Sequence, residues 1–322
     1  MVSIKDVAKH AGVAISTVSK VLNNYPNISE ATRKKVNAAV EELNFVPNSV
    51  AAALSSKNAG RVALMIDLNV TTQAIDEMAM RYISGAITKA MELNLDVITL
   101  FVFMFKDKTT EELIRYLRSQ SITGIIIYGA DEDDQMFQEL IASEMFKCVL
   151  IDEAYVGENI SSVTIDHKKA QYEVAKVLLE ETQAKKILYI CGDEDCYVTR
   201  TRMDGMEELA EEIGVDLIVK FADFSESKAR EIALQYGEEA DVVVCASDLM
   251  AIGAKTAMKK MQIERPICGF DGISLMEYAG QGIYTIGQNF SEISAIAMEE
   301  LQRLMTGAAG RMVEVEYSLI KN

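Results

Sequence analysis

Ile4-Lys5-Asp6-Val7-Ala8-Lys9-His10-Ala11-Gly12-Val13-Ala14-Ile15-Ser16-Thr17-Val18-Ser19-Lys20-Val21-Leu22-Asn23 reads as helix, tight turn, helix. Ser3 and Asp6 stand in a capping-box arrangement that starts the first helix. Val7, Ala8 and Ala11 supply its inward stripe, and Gly12 permits the turn. In the second helix Val18, Val21 and Leu22 recur at three and four residues and face a small core. Ile15, Ser16 and Lys20 are left outward, where hydroxyl and ammonium groups can enter a DNA major groove and read base edges.

Working outward, Asn23-Asn24-Tyr25-Pro26-Asn27 is a turn cluster, and Ser29 caps a third helix running to about Asn44. Val36, Ala39, Val40 and Leu43 form its apolar face. Arg33, Lys34 and Lys35 near its start can reach phosphates, which sets register without reading sequence. Pro47 stops that helix. Asn48 or Ser49 then opens a segment, residues 48–56, of barely two helical turns. So short a helix is marginal in water. It is either an alanine-rich linker or an element that folds only when DNA and a second copy brace it.

The 322-residue chain carries a net charge of −17, unevenly placed. Residues 1–60 hold +3 and residues 61–322 hold −20. Such asymmetry is expected of a module that binds an anion joined to a body that repels it. Apolar runs fall short of a membrane span, and the N-terminus lacks a charged-then-apolar leader. The five cysteines form no Cys-x-x-Cys pair, so reduced, buried thiols in a cytoplasmic protein are expected.

From Arg61 strands alternate with helices. Strands are expected at 62–66, 97–103, 124–128, 148–151, 186–191, 217–221, 241–245 and 266–270. Amphipathic helices are expected at 76–92, 109–119, 168–181, 201–213, 226–236 and 249–261, and 313–322 reads as one closing strand. This alternation predicts parallel sheets covered on both faces. A second series begins near residue 162, giving two doubly wound lobes. Ligands bind beyond the carboxyl ends of such strands. Those ends read Asp67-Leu68-Asn69, Tyr128-Gly129, Asp152-Glu153, Gly192-Asp193, Ser247-Asp248 and Asp271-Gly272. Two acidic-ended lobes facing each other suit a hydroxyl-rich small molecule, since each carboxylate accepts from two hydroxyls.

The head resembles the LacI family of bacterial transcription regulators. The match runs from residue 4 to 54, through Ile-Lys-Asp-Val-Ala-Lys, Thr-Val-Ser-Lys-Val-Leu-Asn, Ser-Glu-Ala-Thr-Arg-Lys-Lys-Val and Leu-Asn-Phe-Val-Pro-Asn-Ser-Val-Ala. The resemblance implies that Ile15, Ser16 and Lys20 contact bases, with Thr17 beside them. It also implies that 48–56 form a hinge helix in the minor groove, where Val50 faces DNA and Leu54 is the wedge that opens a base step. Ala14 departs from the hydroxyl residue usual there, and Ala52 and Ser55 from the basic residues often found in the hinge. More loosely, the resemblance extends through the body and implies a fold similar to periplasmic sugar-binding proteins. Arg202-Met203-Asp204-Gly205 matches the family's Arg-x-x-Gly, whose arginine clamps the effector. Cys245–Gly253 matches its Asn-Asp-x-Met-Ala-x-Gly-like segment with Ser247 in the amide position. Gly269-Phe270-Asp271 and Val149–Asp152 match strand ends that supply carboxylates. Ser162–Asp166 matches the first crossing between lobes.

Residue by residue, Asp248 is a helix cap or a ligand, and Asp166 caps the helix after it. Tyr155, Tyr197 and Phe103 either stack on a sugar ring or belong to the core. His10 and His167 have no second ligand at metal spacing and read as surface or capping residues. Asp131, Asp133 and Asp134 fall in a polar loop. The nucleotide-loop and nucleophile-elbow signatures are absent, so no catalytic residue, metal or cofactor is expected.

The expected protein is therefore a small all-α helix-turn-helix domain (1–46), a hinge (47–60) and an α/β effector domain of two doubly wound parallel-sheet lobes (61–322). The first lobe is expected at about 61–160 and 289–322, the second at about 161–288. The expected function is a sequence-specific, non-enzymatic DNA-binding repressor. It acts as a homodimer on a near-palindromic double-stranded operator and is controlled by a sugar or related polyol. The DNA-binding set is Ile15, Ser16, Thr17, Lys20, Arg33, Lys34, Val50 and Leu54. The effector set is Asp67, Asp152, Arg202, Ser247 and Asp271. The alternatives are a solute-binding receptor or an α/β enzyme carrying a DNA-binding head.

Overall fold

The computed structural model describes residues 2–22, 25, 27–45, 60–66, 77–129 and 134–321. The chain divides into two compact units, Met1–Ala59 and Gly60–Asn322. Val50 and Leu54 of the hinge, Asp67, and the loop residues Asp131 and Asp133 lie outside the described residues.

In the first unit α1 (Ile4–Ala11), α2 (Ile15–Leu22) and α3 (Glu30–Glu42) close on a core of Val7, Ala8, Val18, Val21, Val36 and Ala39. Ser3 starts α1 by donating its N–H to Asp6 at 2.8 Å and its hydroxyl to the same carboxylate at 2.6 Å. Gly12 ends the helix at φ 65°, a conformation that costs glycine nothing. His10 at the end of α1 meets Glu42 at the end of α3 at 2.6 Å.

The second unit holds two six-stranded sheets. The first is built from β1 (Arg61–Ile66), β2 (Asp96–Phe101), β3 (Ile122–Tyr128), β4 (Lys147–Ile151), β5 (Ile160–Thr164) and β11 (Met312–Glu314), all parallel. Its helices are α4 (Glu77–Leu93), α5 (Thr110–Ser119), α6 (Gln135–Ala142) and α12 (Phe290–Met305). The second sheet is built from β6 (Lys186–Cys191), β7 (Asp216–Phe221), β8 (Val242–Cys245), β9 (Ile267–Cys268), β10 (Tyr284–Gln288) and β12 (Tyr317–Lys321). Its helices are α7 (His167–Thr182), α8 (Tyr197–Ile213), α9 (Glu226–Tyr236), α10 (Asp248–Met261) and the short α11 (Met276–Ala279). Strands such as Val62–Ile66 and Ile125–Tyr128 are buried along their whole length, as both-faced parallel strands must be.

Three expectations need correction. Residues 313–322 are two strands in different sheets, not one: β11 pairs parallel with β5, and β12 pairs antiparallel with β10. The split falls where Val315 is buried. β12 is then drawn to the second lobe, where Tyr317 donates to Glu173 at 2.8 Å and Lys321 reaches Glu181 at 2.9 Å. Residues 160–164 belong to the first sheet, so the first lobe runs on past 160 and the crossing falls at Ile165-Asp166, the end of the expected Ser162–Asp166 segment. The strand expected at 97–103 ends at Phe101, because the chain turns through Val102–Phe105 to bury Phe105.

The lobes are thus joined three times, at 165–166, at Asn289 and at 315–316. Glu300, buried on α12, anchors the last of these. Arg303 donates to it at 2.9 Å and Arg311, beside β11, at 3.1 Å. Burial by itself raises a carboxylate, but these two guanidinium groups hold Glu300 below the ordinary range.

Candidate effector cleft and DNA-reading face

A cavity of about 240 Å³ lies between the two sheets of the second unit, at the carboxyl ends of their strands. Ile66, Tyr128 and Asp152, at the ends of β1, β3 and β4, line it from the first lobe. From the second come Arg202 on α8, Asp271 after β9 and Gln288 at the end of β10. The aromatic wall is Tyr82, Tyr128, Phe224 and Phe290. Tyr82 sits with its ring centroid 4.8 Å from that of Tyr128 and 5.1 Å from that of Phe290. Gly192 is required beside Phe224, because a Cβ there would lie 2.0 Å from the ring.

Arg202 is almost wholly buried. Its guanidinium stacks on Phe270, 3.7 Å from the ring centroid. One terminal nitrogen donates to the Ala246 carbonyl and lies 4.0 Å from Asp271 Oδ1. Nε and the other terminal nitrogen both point at His167 Nδ1, each at 3.3 Å. A guanidinium has no lone pair to offer, so Nδ1 must be the acceptor and the ring proton sits on Nε2. Nε2 then donates to Asp152 Oδ1 at 2.9 Å. Burial lowers the His167 pKa from its ordinary value, which keeps this neutral form.

Asp152 Oδ1 accepts from Thr164 as well, at 3.0 Å, so its second oxygen is left for the cavity. Burial works against its charge, yet His167 and Arg202 hold its pKa below the ordinary carboxylate value. Asp271 occupies φ 121°, where L-residues are rarely found. Its N–H donates to the Ile286 carbonyl at 2.8 Å, and its carbonyl accepts from Gln288 N–H at 3.1 Å. Burial pushes its pKa up to about 7. The Gln288 amide donates to Asp271 at 3.1 Å, while its buried Oε1 has no partner and is available to a ligand donor.

Of the expected effector residues, Asp152, Arg202 and Asp271 come together here. Ser247 does not line the cavity; its hydroxyl caps α10 by accepting from Met250 N–H at 3.3 Å. Asp248 is neither a cap nor a cavity residue. Its carboxylate accepts from Gly272 N–H at 2.8 Å, Ile273 N–H at 2.9 Å and the Thr285 hydroxyl at 2.6 Å, which fixes the loop presenting Asp271. Asp166 caps α7, accepting from Lys169 N–H at 2.9 Å. The stacking candidates Tyr155, Tyr197 and Phe103 stay out of the lining, and Phe103 stacks on Phe101 instead.

His167, expected as a surface or capping residue, is instead buried and joins Arg202 to Asp152, while Gln288, Tyr82, Phe224 and Phe290 went unread. For His167 a signal existed: it follows the cap residue Asp166 at the start of the helix that opens the second lobe. Cys196 also lines the cavity, with its thiol pKa raised by burial. Among the described residues no cluster of His, Cys, Asp and Glu could hold a metal, and no helix is long and apolar enough to cross a membrane.

In the first unit Ile15, Ser16 and Lys20 are exposed on α2, and Ile15 keeps 45% of its surface in solvent. Thr17 is half-buried beside them. Ala14 offers no side-chain acceptor to α2; Thr17 and Val18 N–H groups turn to its carbonyl. Lys34 is exposed, 3.5 Å from Glu30. Arg33 is half-buried and donates to the Tyr25 carbonyl, which ties the turn before α3 and removes part of its reach.

Two family models match the chain. Bacterial regulatory proteins of the lacI family match residues 3–48, and the periplasmic binding proteins and sugar binding domain of the LacI family match residues 80–273. The HTH-type transcriptional regulator DegA of Bacillus subtilis is 31% identical, over 91% of this chain and 88% of its own length. The ribose operon repressor of Halalkalibacterium halodurans is 29% identical, over 92% of this chain and 88% of its own. Among solved structures, the lac repressor dimer bound to operator and the anti-inducer ONPF superposes with a TM-score of 0.84 at 22% identity, covering 99% of this chain and 98% of that one. The CelR–cellobiose complex superposes with a TM-score of 0.72 at 23% identity, over 99% of this chain and 98% of that one. These likenesses show the same fold.

Proposed function

The chain belongs to the LacI family of bacterial regulatory proteins, and from that premise we propose that it is a transcriptional repressor switched by a sugar or polyol in the cleft of its second unit. The observation that carries this reading is the line Asp152–His167–Arg202–Asp271, which spans both lobes at the cavity. It offers a free carboxylate oxygen, guanidinium donors and the unpaired Gln288 oxygen to one small ligand. Hydroxyl groups, which both donate and accept, answer all three. A ligand touching both lobes favours one angle between them and is coupled to whatever else depends on that angle.

The output is DNA binding by two heads of a homodimer on a near-palindrome. Ile15, Ser16, Thr17 and Lys20 read bases in this proposal, and Arg33 and Lys34 hold the backbone. Residues 47–60 form the hinge, with Val50 and Leu54 against the minor groove. The relatives are regulators, and the chain is read as having no catalytic role. Cytoplasmic operation fits five free thiols, four of them buried.

The test has two arms. Duplexes selected by the protein from a random pool should converge on a near-palindrome. A thermal-shift screen of sugars, polyols and nucleosides should find a compound that raises Tm with dose and changes affinity for that duplex. Selection without a consensus, or a stabilising ligand that leaves DNA affinity unchanged, overturns the proposal.

A further inference from the structure

A second groove lies on the first lobe, away from the cleft. It has a volume of about 570 Å³ and is formed by α5 together with the Ser143 and Met145 segment that leads into β4. Two arginines, Arg115 and Arg118, line it. Three residues apart on a helix, they lie on one face, about a turn from each other.

Their chemistry sets them apart. Every other arginine is held: Arg33 by the Tyr25 carbonyl, Arg61 by Asp96, Arg81 by Glu77, Arg200 by the Asp195 carbonyl, Arg230 by Glu226 and Arg265 by backbone carbonyls. Arg202 is stacked in the cleft, and Arg303 and Arg311 share Glu300. Among the described residues Arg115 and Arg118 alone of the arginines make no hydrogen bond or ion pair, and both are exposed. They sit on a body that carries −20 and has carboxylates to spare. The one carboxylate in the groove, Glu111, is four residues before Arg115 and pairs with neither arginine. Beside them Ile114 is half-buried and Met145 leaves 55% of its surface in solvent. The apolar side of α5, Leu113 and Leu117, is spent in the lobe's core.

We propose that this groove docks an acidic, amphipathic segment of a second protein, carboxylates on Arg115 and Arg118 and an apolar side chain on Ile114 and Met145. The groove is within the size range of ligand sites but open along its length, which suits a few side chains of a partner better than an enclosed small molecule. An extended polyanion such as nucleic acid is repelled by the surrounding body. A short acidic segment that pairs with Arg115 and Arg118 escapes that repulsion locally, which favours this site on the body. No residue of this groove lines the cleft.

The test uses the full-length protein with its basic head saturated by nonspecific duplex DNA. The probe is a fluorescein-labelled dodecapeptide of glutamate and leucine at helical spacing, read by anisotropy beside its glutamine–leucine counterpart. Saturable binding of the glutamate peptide, weakened by salt, is expected. The R115E/R118E double variant should lose at least tenfold in affinity, while K260Q, at an exposed lysine of α10 outside both sites, loses nothing. Both arginines are exposed and unpartnered, so the double variant should keep its circular dichroism spectrum and Tm. The proposal is overturned by absence of saturable binding, by equal binding to the double variant, or by equal binding of the glutamine peptide. Displacement by millimolar citrate or inorganic phosphate also overturns it, assigning the groove to a small anion.

Discussion

Glu77 and Ser274 join the two lobes beside the cleft. The Glu77 carboxylate, at the start of α4, accepts from the Ser274 N–H at 2.9 Å and from its hydroxyl at 2.8 Å. Arg81 closes the group, 2.5 Å from Glu77 and 3.3 Å from the Ser274 hydroxyl. Met78 and Ala79, the next residues of α4, line the cavity, so this latch sits at its edge.

Loosening the latch should weaken the effector without touching it. Ser274→Ala leaves Glu77 one donor poorer, at a cost of about 1 kcal/mol or more for a charged acceptor. A ligand that needs both lobes in this arrangement should then bind about threefold to tenfold more weakly by calorimetry. Nonspecific DNA affinity at fixed salt should stay constant. Unchanged effector affinity rules the latch out of the switch.

Arg202→Ala should abolish the ligand response while DNA binding persists. It also strips donors from His167 and a counter-charge from Asp152 and Asp271, so a stability loss of about 3 kcal/mol is expected. Arg202→Lys should not rescue, since an ammonium cannot serve His167, Ala246 and the Phe270 face together. Normal effector affinity in either variant removes the clamp role.

His167 makes acid costly. Its folded pKa is lowered by burial, so below the ordinary histidine value the unfolded chain takes up a proton that the folded one refuses. Stability from this group is full above about pH 6.5 and falls as pH drops below it. His167→Asn should remove that fall. The Tm difference between variant and parent should therefore move in the variant's favour from pH 7 to pH 5, and a constant difference argues for a charged His167.

Asp271 works in the opposite sense. Its pKa is raised to about 7 by burial, so its charge destabilises the fold progressively from about pH 4 up to about pH 7. Asp271→Asn should stabilise the ligand-free protein at pH 8 by about 1 kcal/mol or more, a Tm rise of about 2–4 °C, and by little at pH 4. Asparagine has the shape of aspartate, so it meets the same backbone strain at φ 121° and no more. The same change should weaken a hydroxyl-bearing effector at least tenfold. A variant that is destabilised at pH 8 contradicts the burial argument.

At the head, Leu54→Ala should lower affinity for the selected duplex while sparing nonspecific DNA, as expected of a minor-groove wedge. Ala14→Ser should stabilise the head by about 1 kcal/mol, since α2 starts without a side-chain acceptor. Equal loss of specific and nonspecific binding removes the wedge role from Leu54.

Most strands and helices were legible because buried parallel strands are continuous apolar runs and the helices between them are amphipathic. Of the elements left out, β10 breaks that pattern. β10 carries Thr285, Gly287 and Gln288 among its five residues. The closing segment is amphipathic throughout, so nothing local marks the turn between β11 and β12. In the site, residues at strand ends were found because position alone selects them. Gln288 and Phe290 were hidden because their roles arise at the Asn289 crossing, which sets them against residues distant in sequence. Ser247 and Asp248 show the reverse: right place on the strand, but their oxygens are consumed by α10 and by the Gly272-Ile273 backbone.

Three connectors of one or two residues, each clamped between regular elements, tie the lobes together. Tethers so short forbid sliding and unscrewing and leave a swing about the line they define. Whatever occupies the cleft can therefore speak to the rest of the protein in a single variable, an angle. Compounds of different shape become comparable on that one scale, and an agent that loosens DNA and one that tightens it differ only in sign.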